Sequence, residues 1–364
     1  LIHRIPPAVA KAGMETGAAR RPIIDMEAYK LSLKTRMDPT ASILRGLTER
    51  ARAAQARMIF AEGDDPRTLR AAVMYQRSGF GKSLVVGREA DVKEKLEAAG
   101  LGDAVSELDV VNAAKTDKLE QYKVFLYDRL NRRGYDHVDI HRLAARDRHV
   151  FSALMLAHGD GDGLVTGATR KSAHVMQSIN YVFDADAKHG AAGVTALLHN
   201  GRIVLIADTL VHEWPEPEDL ANIAERAAGV AWDLGIEPRV AFVSFSTFGY
   251  PISERAEKMK LAPQVLDHRG VDFEYEGEMA VDVALNPQVM KKYPFNRLSG
   301  PANVLIVPAR HSSSISVKLM QEMAGATVIG PILSGAGHSI QLCSNVATAT
   351  DILNMAVLAA CKVG

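Results

Sequence analysis

The chain contains 364 residues, of which 43 are Lys or Arg, 43 are Asp or Glu, and 47% are hydrophobic. This composition is typical of a globular protein and excludes collagen-like, disordered and coiled-coil classes. The balanced charge argues against a general role at nucleic acids or membrane surfaces, and no apolar run approaches the roughly 20 residues that a membrane-spanning helix needs. The two cysteines, Cys343 and Cys361, form no CxxC pair and no disulfide framework, which predicts a cytoplasmic protein.

The first 57 residues differ in composition from the rest. They carry 11 basic and 5 acidic side chains, whereas residues 58–364 carry 32 and 38. Prolines separate two short helical patterns there, over Ala8–Ala19 and Met26–Arg36, and an amphipathic helix follows over Ser42–Arg57. The pattern predicts a connecting arm and helix over this segment. Because the first residue is Leu rather than Met, we expect the sequence to be part of a longer protein or a processed product.

From Met58 onward, short apolar runs alternate with helical patterns. Each run is of strand length and apolar on both faces, as in parallel strands that are covered by helices, and we expect a helix after each. The runs are Met58–Ala61, Ser83–Val86, Leu164–Thr166, Val194–Leu198, Ile203–Ala207, Val240–Phe245, Val304–Val307 and Thr327–Ile329. The alternation predicts an α/β fold with largely parallel sheets, in which ligands bind beyond the carboxyl ends of the strands.

Familiar ligand motifs fail on their spacing. Gly81-Lys82-Ser83 resembles the end of a P-loop, but Gln76 stands where that loop needs its first glycine. No GxGxxG follows a predicted strand and no HExxH occurs. The sequence therefore predicts neither a dinucleotide-binding loop nor a metal site of its own.

Three segments follow predicted strands and combine glycine or hydroxyl residues with a helix start: Asp162–Arg170, Pro308–Ile315 and Pro331–His338. Backbone N–H groups in the first turn of a helix are unpaired, and with Ser or Thr hydroxyls they can hold an anion. Helix capping and turn formation explain any one of these segments, but three in one chain favour a phosphate-bearing ligand. The candidate residues are Thr166, Gly167, Thr169, Arg170, Ser312, Ser313, Ser314, Ser334 and Gly335.

A polar stretch, Gln341–Ile352, precedes the last predicted helix. Ser344 within it is either a partner for a general base or a helix cap. Asp351 lies in the first turn of the helix, where a carboxylate also serves simply to favour the helix dipole. Cys343 has no His or Lys beside it in the sequence that would activate its thiol. The residues alone leave both a catalytic and a structural interpretation open.

Four blocks of the sequence together resemble the phosphate acetyltransferase family. They are Ala61–Ala72, Asp162–Ala168, Ala302–Pro308 and Gly330–Gly335, and the resemblance covers roughly residues 58–364. It implies two α/β lobes with a cleft between them, as in phosphate acetyltransferases and isocitrate dehydrogenases. It further implies that residues 58–191 and about 332–364 form the first lobe and that residues 192–331 form the second.

Members of this family transfer an acetyl group between CoA and phosphate, with a serine and an aspartate assisting and arginines holding the anionic groups. Ser344 and Asp351 match the serine and the aspartate, but Asn345, Gln177 and Leu130 stand where the family has arginines. Loss of one such donor typically costs about 10²–10³ in rate, so the resemblance implies a domain that binds acetyl-CoA without catalysis. The residues implied to bind acetyl-CoA or phosphate are the nine candidates above together with Lys318, Ser344, Asn345 and Asp351.

The arm narrows the resemblance to one group of proteins. Ile2–Ala12 and Ala18–Ile23 look like the end of a malic-enzyme unit, and Ala207–Thr209 with Pro215 and Pro217 is similar to the same hybrids. The chain thus resembles the C-terminal domain of large bacterial NADP-dependent malic enzymes, which join a malate-oxidising unit to a phosphate-acetyltransferase-like domain. This implies a regulatory domain that senses acetyl-CoA and supports a homo-oligomer. NADP and a divalent metal, Mg or Mn, would belong to the upstream unit.

Two alternatives remain open. In the first, the chain is an active phosphate acetyltransferase that uses Ser344 and Asp351, with Arg129 or Arg170 replacing the lost arginines. In the second, the domain serves assembly alone and its ligand site is vestigial.

Overall fold

The computed structural model describes residues 5–17 and 39–363. Its helices are α1 (Ile5–Glu15), α2 (Pro39–Ala54), α3 (Pro66–Arg77), α4 (Glu89–Ala98), α5 (Leu119–Leu130), α6 (His137–Arg146), α7 (Arg148–Ala157), α8 (Ser172–Val182), α9 (Pro217–Asp233), α10 (Glu254–Arg269), α11 (Val281–Leu285), α12 (Pro287–Met290), α13 (Arg310–Ala324) and α14 (Ala349–Ala360). Its strands are β1 (Met58–Phe60), β2 (Ser83–Val86), β3 (Asp109–Val111), β4 (Gly163–Thr166), β5 (Ala192–His199), β6 (Arg202–Ala207), β7 (Arg239–Val243), β8 (Glu274–Met279), β9 (Val304–Ile306), β10 (Thr327–Ser334) and β11 (Ile340–Leu342). The helix predicted over Met26–Arg36 lies outside the described residues, and within them every helix is too short or too polar to cross a membrane.

The first sheet has the strand order β11-β4-β1-β2-β3, and every neighbouring pair is parallel. Its central strand β1 is fully buried at Met58, Ile59 and Phe60, as an uninterrupted apolar run predicts for a strand covered on both faces. β11 pairs with β4, so the chain returns to this sheet after it has built the second one.

The second sheet has the order β10-β5-β6-β9-β7-β8 and is mixed. β6, β9, β7 and β8 run parallel, whereas β5 is antiparallel to both β6 and β10. The expectation of a helix after every run is wrong for Thr327–Ile329, where β10 continues to Ser334 and β11 follows, and for Val194–Leu198. Asn200 and Gly201 adopt positive φ angles of 50° and 70°, and such a two-residue turn leads directly into β6. The predicted α/β architecture is otherwise confirmed.

Three strands were not predicted, because their sequences lack an apolar run. β8 is an edge strand that carries Glu274, Glu276 and Glu278. Burial of Glu276 is tolerated because its Oε2 lies 3.2 Å from Nε of Arg297. β3 is a three-residue edge strand, and β11 overlaps the start of the polar stretch Gln341–Ile352.

Helices cover both sheets and join the two lobes. α9 and α10 pack on one face of the second sheet, and α11 and α13 pack on the other. α14 packs against α3 and β4 of the first lobe. α2 packs against α14 through the buried residues Leu47 and Ala51. The predicted boundary near residue 331 falls inside β10, which ends at Ser334.

A glycine before β2 provides a test of this packing. Gly81 has a φ of +144°, and a Cβ there would stand 2.1 Å from the carbonyl oxygen of Ala56, in the segment that enters β1. We expect Gly81→Ala to lower the free energy of unfolding by about 3 kcal/mol or more, measured by urea denaturation. Gly79→Ala is the control, because Gly79 also has a positive φ (+74°) but a Cβ there meets no atom within 4 Å. Its cost should stay near about 1 kcal/mol, and equal losses at the two positions would contradict the close contact.

Candidate functional site

A cavity of about 390 Å³, here named the interlobe cavity, lies where the two lobes meet. Its walls come from α13 and β10 of the second lobe and from α14 and the loop before it in the first. Cys343, Ser344, Val346 and Ala347 are the lining residues of that loop. The polar residues that line it are Thr195, Thr209, Ser314, Lys318, Gln321, Thr327, Ser344, Asp351 and Asn354. Val317, Val328, Ile329, Pro331 and Met355 add an apolar surface. The size and this mixture of groups suit a small-molecule site.

Four of the residues singled out from the sequence meet in this cavity: Ser314, Lys318, Ser344 and Asp351. Lys318 is the single cation among the described residues that line it, and Asp351 is the single anion. A ligand in the cavity would therefore meet one point charge of each sign. That arrangement can orient a polar ligand, but it offers no bidentate guanidinium.

Asp351 serves as part of a helix cap. Its Oδ2 accepts hydrogen bonds from the backbone N and the Oγ1 of Thr348, both at 2.8 Å, while the N–H of Asp351 donates to Thr348 Oγ1 at 3.2 Å. The Oγ of Ser344 accepts a bond from Val346 N at 3.4 Å. The described hydrogen bonds of these two residues therefore link each of them to its own loop and do not join them to each other.

The turn after β4 already contains an anion of the protein itself. Glu62, which is 1% exposed, accepts hydrogen bonds from the backbone N–H groups of Gly167, Ala168 and Thr169 at 2.9–3.2 Å and from the Thr169 hydroxyl at 3.0 Å. Burial raises the pKa of Glu62 above its usual range, and these bonds oppose that rise. The donors expected to hold a ligand phosphate are thus occupied by a carboxylate. The adjacent Thr166 is buried, and its Oγ1 lies 2.7 Å from Nδ1 of His149.

Arg67 connects this turn to the loop that carries Ser344. Its guanidinium donates to the carbonyl oxygens of Ala168 at 2.9 Å, Asn345 at 3.0 Å and Ala347 at 2.8 Å. Asp65 caps α3 and also pairs with this guanidinium at 2.8 Å. Sequence reasoning missed Glu62 and Arg67 as site-forming residues, although both lie in the first block of the family resemblance. Their role depends on loops about 100 and 280 positions away, which a local pattern does not reveal.

The three consecutive serines point in three directions. α13 begins at Arg310 rather than after the serines, so they occupy its first turns and lie about 100° apart around its axis. Ser312 lines a second cavity, Ser313 is buried and donates to the Asp208 carbonyl at 2.7 Å, and Ser314 lines the interlobe cavity. The three serines, which the sequence suggested as one anion site, therefore lie in three different environments.

The remaining candidates lie outside the interlobe cavity's described lining. Ser334 ends β10, where it pairs with Ala192 of β5. The carbonyl of Gly335 accepts a bond from Asp186 N at 2.9 Å, and a Cβ there would approach the Gly190 oxygen to 2.2 Å. Arg170 and Asn345 have exposed side chains.

A family model described as phosphate acetyl/butaryl transferase matches residues 42–360. The chain belongs to this family. It is 48% identical to the NADP-dependent malic enzyme of Rhizobium meliloti over 100% of its own length and 48% of that protein. It is 29% identical to the phosphate acetyltransferase of Thermoanaerobacterium thermosaccharolyticum over 86% of its own length and 97% of that protein.

A solved structure agrees with this assignment. The phosphotransacetylase from Streptococcus pyogenes superposes with a TM-score of 0.82 at 25% identity, covering 89% of this chain and 98% of that one. The chain spans about half the length of the malic enzymes it matches, and the matched half is their phosphate-acetyltransferase-like portion.

Leu130 and Gln177, which stand where the resemblance implies arginines, are not among the described residues that line the interlobe cavity. Leu130 is fully buried in the core of the first lobe, and Gln177 is exposed on α8. The adjacent Arg129 is held elsewhere, by Asp184 Oδ1 at 2.9 Å and the Tyr181 carbonyl at 3.3 Å. Neither Arg129 nor Arg170 is among the residues that line the interlobe cavity in the described chain.

A second buried carboxylate organises the loop after β6. Asp208, 2% exposed, accepts hydrogen bonds from the backbone N–H groups of Gly193, Leu210, Val211 and His212 at 2.7–3.1 Å. Its Oδ2 also lies 2.8 Å from Nδ1 of His212. Burial opposes ionisation of Asp208, but the bonds from His212 and the backbone outweigh it and hold the pKa of Asp208 below its usual range. The Asp208 carboxylate in turn raises the pKa of His212.

We expect Arg67→Lys to loosen both loops beside the interlobe cavity. A lysine ammonium cannot reproduce the planar fork that reaches three carbonyls and Asp65, so the free energy of unfolding should fall by about 2–4 kcal/mol. Urea denaturation measures this loss. Arg77→Lys is the control, because Arg77 pairs with exposed Asp103 and Glu107 on the surface and such pairs contribute about 1 kcal/mol or less. Equal effects would show that the Arg67 bonds do not stabilise the loops.

The Asp208–His212 pair predicts greatest stability in mildly acidic solution. Folding lowers the pKa of Asp208, so its contribution is present above the unfolded value of about 3.9 and is lost as pH falls through the folded value. Folding raises the pKa of His212, so its contribution is present below the unfolded value of about 6.5 and is lost as pH rises through the folded value.

His212→Gln should therefore destabilise the chain clearly at about pH 5.5 and much less at about pH 9, as measured by urea unfolding at both values. His141→Gln, at an exposed histidine on α6, serves as the control and should change little at either pH. A loss for His212→Gln that is the same at both pH values would contradict the charged pair.

Proposed function

We propose that this chain is the acetyl-CoA-sensing, oligomer-forming domain of an NADP-dependent malic enzyme and that it has little transacetylase activity. The observation that carries the proposal is the interlobe cavity, which retains Ser344 and Asp351 but has Lys318 as the single cation among its described lining residues. The similarity to malic enzymes over half their length supports the assignment to such a protein.

Acetyl transfer to phosphate makes demands that this cavity meets poorly. The phosphate must be held against the thioester carbonyl while charge develops on the carbonyl oxygen and then on the departing thiolate. One lysine can stabilise one of these charges as a point charge, and each missing donor typically costs about 10²–10³ in rate. The cavity is therefore a weak catalyst for this reaction.

Binding of the thioester makes smaller demands on the interlobe cavity than acetyl transfer does. The acetyl group and the pantetheine amides need hydrogen-bonding partners and an apolar surface. Thr195, Thr209, Ser314 and Asn354 supply the former, and the valine, isoleucine and methionine side chains of the cavity supply the latter. Occupancy would then bridge α13 of one lobe and α14 of the other, which gives acetyl-CoA a way to bias the arrangement of the lobes.

The full protein would also contain a malate-oxidising unit. In the proposal, NADP and a divalent metal, Mg or Mn, bind that unit, and the present domain contributes regulation and homo-oligomer assembly to it. The relatives named NADP-dependent malic enzyme support this arrangement because they are about twice as long as this chain.

An active phosphate acetyltransferase is the second candidate, favoured by Ser344 and Asp351 lining the same cavity. It would have to work without Arg129, which Asp184 and the Tyr181 carbonyl already hold. A domain with a vestigial site is the third candidate, and it predicts no ligand binding at all.

Calorimetry with acetyl-CoA and a thiol assay for CoA release separate the three candidates. We expect saturable binding, and CoA release with phosphate far below the 1–10³ s⁻¹ that is usual for enzymes. Lys318→Glu should weaken binding about tenfold or more, because it reverses the cation of the cavity, while Lys292→Glu, at an exposed lysine after α12, should leave affinity unchanged. Absence of heat at millimolar acetyl-CoA would exclude the sensor, and turnover in the enzymatic range would establish the transferase.

A further inference from the structure

The carboxyl ends of β6, β9 and β7 meet at one crevice in the second lobe. These strands are neighbours and run parallel. After β9 the chain passes through α13 toward β10 at one edge of the sheet, and after β7 it passes through α10 toward β8 at the other edge. The crevice between β9 and β7 is therefore a topological switch point, the position at which open α/β sheets bind ligands.

A cavity of about 540 Å³, here named the switch-point cavity, occupies this crevice. The loops after all three strands line it, with Trp214 after β6, Phe245 after β7 and Pro308 after β9. It shares no lining residue with the interlobe cavity. The first turns of α13 separate the two, because Ser312 lines one cavity and Ser314 lines the other.

Trp214, Phe245 and His311 bring three rings to the walls of the switch-point cavity. Trp214 is 58% exposed and Phe245 is 64% exposed, and the ring of His311 lies 5.8 Å from that of Trp214. Large apolar side chains that stay exposed together at one cavity mark a binding surface. Planar rings stack on such side chains through their faces, so this pair favours a flat, aromatic ligand group.

The acidic residues around the cavity are largely compensated. Glu216 pairs with Lys258 at 2.5 Å, and Glu213 lies 3.8 Å from Arg310. Glu254 lines the cavity from the first turn of α10, where the helix dipole stabilises its charge. Glu254 would repel a ligand that carries several negative charges, whereas a ligand with a single anionic group can bind with that group away from Glu254.

The start of α13 provides a place for one anion. Its N-cap residue, Ala309, offers no side chain to the first-turn N–H groups, and His311 and Ser312 on that turn line the cavity. Backbone amides, an imidazole and a hydroxyl together suit one phosphate. The anion site and the aromatic walls thus lie in the same cavity.

We propose that the switch-point cavity binds a nucleoside monophosphate group, with its base against Trp214 and Phe245 and its phosphate at the start of α13. The group belongs to a free nucleotide, because the nucleotide end of CoA carries several phosphates and would meet Glu254. The site does not depend on acetyl-CoA binding in the interlobe cavity, whose lining residues are different.

Tryptophan fluorescence gives a direct test. The chain has 2 tryptophans, so Trp232→Phe leaves Trp214 as the single indole reporter. We expect AMP to quench it saturably and adenosine to bind about fivefold or more weakly, because adenosine lacks the phosphate. CoA, which carries several phosphates, should bind more weakly than AMP, and tighter binding of CoA would contradict a site for a single anionic group. Absence of saturable quenching by AMP, adenosine and CoA at about 10 mM would overturn the proposal.

Substitutions locate the site. Trp214→Leu, followed by calorimetry, should weaken AMP binding about fivefold to 100-fold, because it removes the stacking surface. If this variant does not fold, Phe245→Leu in the Trp232→Phe background tests the opposite wall. Phe295→Leu is the control, because Phe295 is another exposed ring (62%) but does not line this cavity.

Unchanged AMP affinity in both wall variants would overturn the proposal. Lys318→Glu distinguishes the nucleotide site from the proposed function. That variant should bind acetyl-CoA more weakly in the interlobe cavity and still bind AMP in the switch-point cavity.

Discussion

Backbone N–H groups at the carboxyl ends of buried strands need partners, and two buried carboxylates supply them. The loop that follows a strand turns away from the sheet. Its amides therefore cannot form the hydrogen bonds to a neighbouring strand that pair the amides within the strand. Glu62 accepts three such amides after β4 of the first sheet. Asp208 accepts four around the end of β6 in the second sheet. Leaving a buried donor unpaired costs about 1–3 kcal/mol each. Asp208 thereby fixes the loop that contributes Thr209 to the interlobe cavity and Trp214 to the switch-point cavity. Glu62 fixes the turn that Arg67 connects to the loop of Ser344.

The pairing of these amides with buried carboxylates determines where a ligand can bind. Successive amides that point inward at a strand end form a natural anion site, and in the first lobe Glu62 fills it permanently. An incoming phosphate would have to displace a carboxylate that is covalently part of the chain. The open space lies instead between the lobes, beside the loop that Arg67 holds through Asn345 and Ala347. Ser344 and Asp351 face that space because Arg67 and Thr348 fix the loop that carries them.

The sequence carried enough information for the layers of the fold, since buried parallel strands appear as uninterrupted apolar runs. Prediction from the sequence failed for elements whose burial depends on pairing between polar groups. β8 was missed because three glutamates stand along a six-residue strand, and the partner of the buried Glu276, Arg297, comes from a distant loop. The site was only partly predictable for the same reason. Ser314, Lys318, Ser344 and Asp351 meet in one cavity as predicted candidates. Gly167 and Thr169 were expected to hold a ligand phosphate, but in the structure Glu62 accepts their backbone N–H groups.

The segment from Asp208 to Trp214 lies between the two cavities and limits how they communicate. Thr209 lines the interlobe cavity and Trp214 lines the switch-point cavity, so both ligands would touch one loop. A ligand can shift a conformational equilibrium only as far as it binds the two states differently. Movement of this loop would break the bonds that Asp208 accepts and the bond from Ser313 to the Asp208 carbonyl, which anchors it to α13. Because these bonds hold the loop from both sides, the structure favours independent occupancy of the two cavities. In the proposed function, acetyl-CoA would then act through the relative position of α13 and α14, the helices that line the interlobe cavity from the two lobes.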